Sequence, residues 1–220
     1  MFQQSRSRLS AGRIAARAQI AALGSPVRQE LVDTLEALGG VATVAELAAQ
    51  LGRPADGLYY HVEILRRVGL FVAAAGGTSR AGRSERRYRT PARRGVPLQL
   101  VYRPADRRAV AAVRGVVGGM LRIARRDFDR GLGGAVVVEG ARRELWASRA
   151  TGWVSDAELG AINRLLRQLG ARLRKPRGGA RRRLVSLCFV LAPLAARPTR
   201  RPSPRRPSPR AAPDTAPRRR

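Results

Sequence analysis

The sequence contains few of the residues on which disulfides, metal sites and nucleophilic catalysis depend. Among its 220 residues there is one cysteine, Cys188, and one histidine, His61. A single cysteine excludes an intramolecular disulfide and any metal site built from several thiolates. The phosphate-binding pattern G-x-x-x-x-G-K-[ST] is also absent. We therefore expect a protein that is not an enzyme and that requires neither a metal nor another cofactor.

Long apolar runs are missing as well. The longest mostly apolar stretch covers residues 184–196 and is interrupted by Ser186 and Pro193. A membrane-spanning helix needs about 20 apolar residues, so this stretch is too short to cross a bilayer. The first ten residues, MFQQSRSRLS, lack the apolar core of a secretory signal. These features predict a cytoplasmic protein without a membrane anchor.

Acidic residues are scarce, and the positive charge that results is unevenly distributed. The chain has 15 acidic against 44 basic residues, for a net charge of +29, which predicts a polyanionic partner. Residues 20–69 nevertheless contain six acidic residues and only four arginines, whereas residues 70–95 contain seven arginines and one glutamate. A bias in composition alone would make the whole chain basic, so this contrast indicates a local structural cause.

Three helices are predicted between Ser25 and Gly69. The first begins at Pro26 and ends at Gly39-Gly40, with apolar residues at helical spacing. Thr43 and Glu46 then form a T-x-x-E capping box, and the short helix that follows ends at Gly52. A further helix restarts at Pro54, and its inward face consists of Leu58, Val62, Leu65 and Val68. Two short helices joined through Gly52 predict a helix-turn-helix.

After Gly69 the apolar spacing changes from that of a helix to that of a strand. Leu70 to Val72 and Glu85 to Thr90 are predicted to be the two strands of a hairpin, and Tyr88 lies on the second. The segment between them is rich in glycine and arginine. A helix-turn-helix followed by a hairpin with a basic tip is a winged helix.

The residues that match this fold also resemble a known family. LGRPADGLYYHVEILRRVGLF (Leu51 to Phe71) and GRSERRYR (Gly82 to Arg89) are similar to the ArsR-type winged helix-turn-helix regulators, in particular those with an L-Y-Y-H recognition helix. The resemblance covers about residues 20–92. It implies a dimeric repressor or activator whose recognition helix enters the major groove while the wing contacts the backbone or minor groove. Arg53 replaces a commonly apolar turn residue, and the cysteine-rich metal-sensing motif is absent.

Candidate DNA contacts follow from the outward face of the recognition helix and from the wing. Base edges are reached from the N-terminal half of such a helix, so Asp56, Tyr59 and Tyr60 are expected in the groove. Candidate phosphate contacts, which fix register without reading sequence, are Arg53, Arg66, Arg80, Arg83, Arg86 and Arg87.

The tyrosines and the histidine of this helix also have an interpretation in which they serve the packing of the fold and do not contact DNA. Tyr59 or Tyr60 could pack against the hairpin as part of the core instead of facing DNA. His61 lies beside the inward stripe of the helix, where we expect a half-buried packing residue with its hydrogen bonds satisfied.

The second half of the sequence is less specific. A long helix is predicted from Pro104 to about Arg130, with an inward face of Val110, Val113, Val117, Met120, Ala124 and Phe128. Ala135 to Glu139 is a candidate strand, and Leu184 to Leu191 is predicted to be a buried strand in which Cys188 acts as a small hydrophobic residue. A second capping box, Ser155 and Glu158, begins a helix with an apolar seam of Leu159, Ile162, Leu166, Leu169 and Leu173. This seam could form a dimer interface or pack within the same domain.

These predictions give an α+β, mainly helical protein in four segments. They are a basic N-terminal arm or helix (1–19), the winged helix-turn-helix (20–92), a small helical and strand-containing domain for dimerisation or effector binding (100–195), and a disordered Arg/Pro/Ser-rich tail (197–220). The expected function is sequence-specific binding of double-stranded DNA as a homodimer in transcription regulation; no effector class is indicated. The alternatives are a basic RNA- or nucleoid-associated protein without sequence specificity and a protein-interaction module.

Overall fold

A computed structural model describes residues 12–75, 85–92, 98–174 and 183–194 of the chain. The chain divides into two compact units, Met1–Cys188 and Phe189–Arg220. In the first unit the described elements, in chain order, are β1 (Arg13–Ile14), α1 (Arg17–Ala22), α2 (Pro26–Ala37), β2 (Val41–Thr43), α3 (Val44–Leu51), α4 (Asp56–Arg67), β3 (Val72–Ala73), β4 (Arg87–Arg89), β5 (Gln99–Leu100), α5 (Arg107–Leu132) and α6 (Asp156–Leu173). In the second unit, residues 189–194 are described and contain no regular element.

Helices α3 and α4 form the predicted helix-turn-helix. The Thr43 hydroxyl accepts a hydrogen bond from the backbone N–H of Glu46 at 3.1 Å, and the Glu46 carboxylate accepts one from the N–H of Thr43 at 2.8 Å. This reciprocal capping box fixes the start of α3. Gly52 ends the helix with a φ of +62°, a left-handed conformation that a side chain would disfavour. The predicted capping box and turn are therefore confirmed.

The sheet of the winged helix has the strand order β2-β4-β3 with antiparallel pairing throughout. Tyr88 on β4 lies between Ala42 on β2 and Ala73 on β3, and its ring stacks on that of Phe71 with centroids 6.1 Å apart. Both rings are buried in the core below the sheet. The hairpin is confirmed, but β4 is shorter than predicted and β3 begins at Val72 instead of Leu70. The tip of the hairpin, residues 76–84, lies outside the described residues.

Helix α5 packs across α1 and α2, so it belongs to the same compact unit as the helix-turn-helix. Asp106 caps its N-terminus by accepting hydrogen bonds from the backbone N–H groups of Arg108 and Ala109. The predicted inward face was rotated by about one residue, because the most buried positions are Ala109, Val116 and Gly119. Alanine and glycine at two of these positions allow close packing onto α1 and α2, a requirement that apolar periodicity does not reveal.

A buried glutamine joins α2 to α5. The side-chain amide of Gln29 donates to the backbone carbonyls of Leu23 at 2.5 Å and Val116 at 2.9 Å. A Cβ at Gly119 would lie 2.5 Å from the Gln29 amide nitrogen. Gly119 therefore provides the space in which this buried hydrogen-bonded side chain fits.

We expect Gly119→Ala to destabilise the protein by about 1–3 kcal/mol, because the new methyl group would displace Gln29 from its two carbonyl partners. The neighbouring Gly118→Ala is the matched control, since its Cβ would contact only the Arg122 guanidinium at 3.5 Å. This control should be neutral or stabilising by roughly 0.5–1 kcal/mol, because alanine favours helix. Urea unfolding of both variants measures the difference, and equal midpoints would contradict the role assigned to Gln29.

The N-terminal segment pairs with the short strand β5, which follows the wing in the chain. β1 pairs with β5 in parallel, with Arg13 opposite Gln99 and Ile14 opposite Leu100. Ile14 and Ile20 are buried in the same core as α3 and α4. Residues 13–22 are thus an integral part of the compact unit that contains the helix-turn-helix.

The prediction of two strands in the second half of the sequence is wrong. Residues 135–139 and 183–194 have no regular secondary structure, and their large apolar side chains are mostly exposed. β-Branched residues favour a strand only where a neighbouring strand accepts the backbone hydrogen bonds, and neither segment pairs with another described strand. Cys188 is half-buried, and burial raises the pKa of its thiol.

Helix α6 is confirmed, including its capping box. The Ser155 hydroxyl accepts from the N–H of Glu158 at 3.3 Å, and the Glu158 carboxylate accepts from the N–H of Ser155 at 2.7 Å. Only Gly170 of this helix is buried. Among the helices that the structure describes, none has an apolar stretch of the length that a bilayer requires.

Candidate nucleic-acid interface

The outward face of α4 presents two neighbouring tyrosines. Tyr59 is 54% exposed and Tyr60 is 69% exposed, whereas Leu58, Val62 and Leu65 on the opposite face are buried. The alternative in which a tyrosine packs against the hairpin is therefore wrong for the described conformation. Asp56, the first residue of α4, is also exposed. The three predicted base-reading residues thus share the exposed N-terminal half of one helix.

His61 lies beside Tyr60 at the edge of this face. The two rings meet edge to face with centroids 5.4 Å apart. Burial lowers the pKa of His61, and the charges of Arg28 and Arg53 lower it further, so the imidazole is neutral at pH 7. The residue is half-buried as predicted, but its Nδ1 atom is buried without a hydrogen-bond partner among the described residues, so the prediction of a fully satisfied histidine is wrong.

Arg53, in the turn between α3 and α4, is held by a carboxylate. Its Nη2 atom lies 3.0 Å from Glu30 Oε2, and Glu30 is only 8% exposed. The other oxygen of Glu30 lies 2.6 Å from Nη1 of Arg126 on α5. The Arg53 side chain is still 40% exposed, so it can reach a phosphate at the edge of the turn.

The C-terminal end of α4 carries a small ionic network. Arg66 donates two hydrogen bonds to the Glu63 carboxylate at 2.7 and 2.9 Å, and Arg67 donates one at 2.9 Å. These hydrogen bonds, from Arg66 first and then Arg67, lower the pKa of Glu63 to about 2. Glu63 is therefore ionised at neutral pH, and it reduces the charge that Arg66 can offer to DNA.

The predicted wing arginines have different surroundings. Arg86 is exposed immediately before β4. Arg87 is half-buried and turns towards α3, with Nη2 3.7 Å from the Glu46 carboxylate. Arg89, which was not predicted, is exposed at the end of β4 and alternates with buried Tyr88, as the two-residue period of a strand requires. Arg80 and Arg83 lie outside the described residues.

Arg28 was missed because its proximity to the site depends on tertiary packing. It lies in the first turn of α2, where its Nε atom donates to the carbonyl of Ala22. It is near enough to Tyr60 and His61 for charge interactions with both. No local signal in the sequence connects α2 with the exposed face of α4.

The seam predicted for dimerisation lies on α6. Leu159, Leu169 and Leu173 are between 38% and 44% exposed, and Ile162 and Leu166 are half-buried. No group of three or more His, Cys, Asp or Glu side chains in the described part of the chain is arranged to hold a metal ion.

Residues 23–72 match a family model described as a helix-turn-helix domain. The match includes α2, α3 and α4 and ends within β3. No curated protein matches the chain. The chain thus contains a DNA-binding helix-turn-helix domain of a type typical of non-enzymatic transcriptional regulators.

Proposed function

We propose that this protein regulates transcription by binding specific sequences of double-stranded DNA as a homodimer, and that it belongs to the ArsR-type regulators with an L-Y-Y-H recognition helix. The observation that carries the proposal is the exposed pair Tyr59 and Tyr60 at the N-terminal half of α4. Because both rings are exposed on α4, they contribute little to the packing of the core. They are suited to contacts with base edges in a major groove.

Each neighbouring residue has a distinct chemical part in this proposal. The Asp56 carboxylate can accept a hydrogen bond from the amino group of cytosine. The tyrosine hydroxyls can donate or accept, and their rings can contact the thymine methyl group. Arg53 and Arg86 would bind phosphates and fix the register of the helix. Arg66 would contribute less, because Glu63 competes with phosphate for its guanidinium.

The direct test is selection of duplex DNA from a random pool by the full chain at physiological salt. We expect enrichment of a common sequence, followed by stronger binding to that duplex than to a scrambled duplex or a structured RNA of equal length. Equal binding to all three would overturn the proposal. It would favour the alternative of a basic nucleoid- or RNA-associated protein, which the net charge of +29 also permits.

The homodimer is proposed from the apolar seam of α6. Leucines that are about two-fifths exposed along one face of a capped helix would gain free energy by contacting the same face of a second copy. A seam of about two heptads is short, so we expect the interface to be strengthened by other surfaces of the unit.

Leu169→Asp is expected to shift the protein from dimer to monomer at micromolar concentration, because it would bury an unpaired carboxylate in the seam. Ala171→Asp adds the same charge to the exposed opposite face of α6 and should leave the dimer intact. Sedimentation velocity, with circular dichroism to verify folding, distinguishes the two variants. A folded Leu169→Asp protein that remained dimeric would exclude the seam as the interface.

A further inference from the structure

We propose that α5 carries a second DNA-contact surface, which binds backbone phosphates beyond the segment contacted by α4 and the wing. The surface consists of Arg122, Arg125, Arg126 and Arg130, hereafter the α5 arginine stripe. This inference rests on the proposed function, since it assumes a duplex bound at α4. It adds a contact region that the helix-turn-helix itself does not contain.

The four arginines share one face of the helix. Arg125, Arg126 and Arg130 follow Arg122 by three, four and eight residues, which places them in a row, and together with Asp129 they line a single shallow groove. The row extends about 12 Å along the helix, which is long enough to contact more than one phosphate of a DNA strand. A row of this length suits a phosphate backbone better than it suits a single small anion.

The stripe lies next to the turn of the helix-turn-helix. Arg126 Nη1 and Arg53 Nη2 bind the two oxygens of the same Glu30 carboxylate, at 2.6 and 3.0 Å. Because the oxygens of one carboxylate are adjacent, the guanidinium groups of α5 and of the turn must be close neighbours. Arg53 begins the connection to α4, so the α5 arginine stripe continues the basic surface from the recognition helix onto α5.

Most of the positive charge in the stripe is available to a phosphate. Arg122 and Arg130 are exposed and form no ion pair with another described residue. The side chain of Arg125 is 86% exposed, and its pair with Asp129, at 3.7 Å, is exposed as well. An exposed ion pair of this kind contributes little and can be exchanged for a phosphate contact. Arg126, which Glu30 and Asp127 hold in place, mainly positions the stripe.

The test compares two triple variants of the full chain on two duplexes that contain the same selected site. The short duplex ends at the site, and the long one extends it by one helical turn on each side. The first variant combines Arg122→Gln, Arg125→Gln and Arg130→Gln and leaves Arg126 in place. The matched control combines Arg107→Gln, Arg108→Gln and Arg114→Gln, which removes the same charge from exposed positions in the N-terminal half of α5.

We expect the first variant to lose at least tenfold in affinity for the long duplex. The slope of log affinity against log salt should fall by roughly two units, because each lost phosphate contact contributes about 0.9. Binding to the short duplex, and the preference for the selected site over a scrambled one, should not change. The control variant should bind both duplexes as the unmodified protein does.

Two outcomes would overturn the inference. If the stripe variant binds the long duplex as tightly as the unmodified protein, α5 does not contact DNA. If both variants weaken binding equally, only total charge matters. Failure of the proposed function is visible separately, because the unmodified protein would then show no preference for a selected duplex before any arginine is replaced.

Discussion

Replacing Tyr60 with alanine is expected to cost roughly 1–3 kcal/mol of binding free energy on the selected duplex. Affinity for a scrambled duplex and the salt dependence should be nearly unchanged. The reason is that Tyr60 is uncharged and 69% exposed on the face of α4 that we assign to the groove. Its removal deletes contacts to bases without altering phosphate contacts or the core. Fluorescence anisotropy titrations on both duplexes, over a series of salt concentrations, measure the two effects.

Tyr102→Ala is the matched control for this experiment. Tyr102 is 44% exposed, but it follows β5 and is distant in sequence from α4. Its loss should leave both affinities unchanged. A Tyr60→Ala protein that loses affinity equally for selected and scrambled duplexes would contradict a role in sequence reading, because such a loss is the signature of a backbone contact.

Phe71→Ala is expected to lower the free energy of unfolding by about 3–5 kcal/mol, the range for removing a buried aromatic side chain. Phe71 is fully buried and stacks on Tyr88, so its ring joins the end of the helix-turn-helix to the returning strand of the wing. Thermal and urea unfolding of the variant should show a large loss of stability. Tyr102→Ala again serves as the control, since an exposed ring contributes little.

The same variant also tests how the wing is attached. If Phe71 and Tyr88 together hold the hairpin on the core, Tyr88→Ala should destabilise the protein similarly. The double variant should then cost less than the two single variants combined, because the stacking is lost in either one. Additive effects would show that the two rings stabilise separate parts of the core.

The features that the sequence predicted correctly depend on residues close together in the chain. The capping boxes at Thr43 and Ser155 involve side chains three residues apart, and the left-handed turn at Gly52 requires only a residue without a Cβ. The exposure of Tyr59 and Tyr60 follows from the helical period once Leu58 and Val62 are placed inward. Each of these features depends on residues within a few positions of one another, so it can be predicted from the sequence without knowledge of the fold.

The features that it did not predict depend on partners far away in the chain. The parallel pairing of β1 with β5 joins residues separated by the entire winged helix. The orientation of α5 was misjudged because two of its three most buried positions are alanine and glycine, which contribute little to an apolar periodicity. The strands predicted at 135–139 and 184–191 do not form, although their residues favour strands, because strand propensity has no effect without a neighbouring strand.

The candidate interface shows the same division. The positions of Asp56, Tyr59 and Tyr60 were predictable from α4 alone. The pairing of Arg53 with Glu30 and the orientation of Arg87 towards Glu46 were not, because in each case the acidic partner comes from an element distant in sequence. A basic residue identified from sequence is therefore only a candidate for DNA contact until its acidic neighbours are known.

The position of Gln29 and Glu30 has a consequence for any attempt to transfer the helix-turn-helix to another protein. Residues 23–72, the part that matches the helix-turn-helix family, contain both side chains, but the partners Val116 and Arg126 lie on α5. An excised or grafted copy of that segment would lose these contacts and would expose to solvent the face of α2 that α5 covers. A transferred copy of the domain should therefore include α5, so chimeric regulators should be joined after Leu132 and not after the wing.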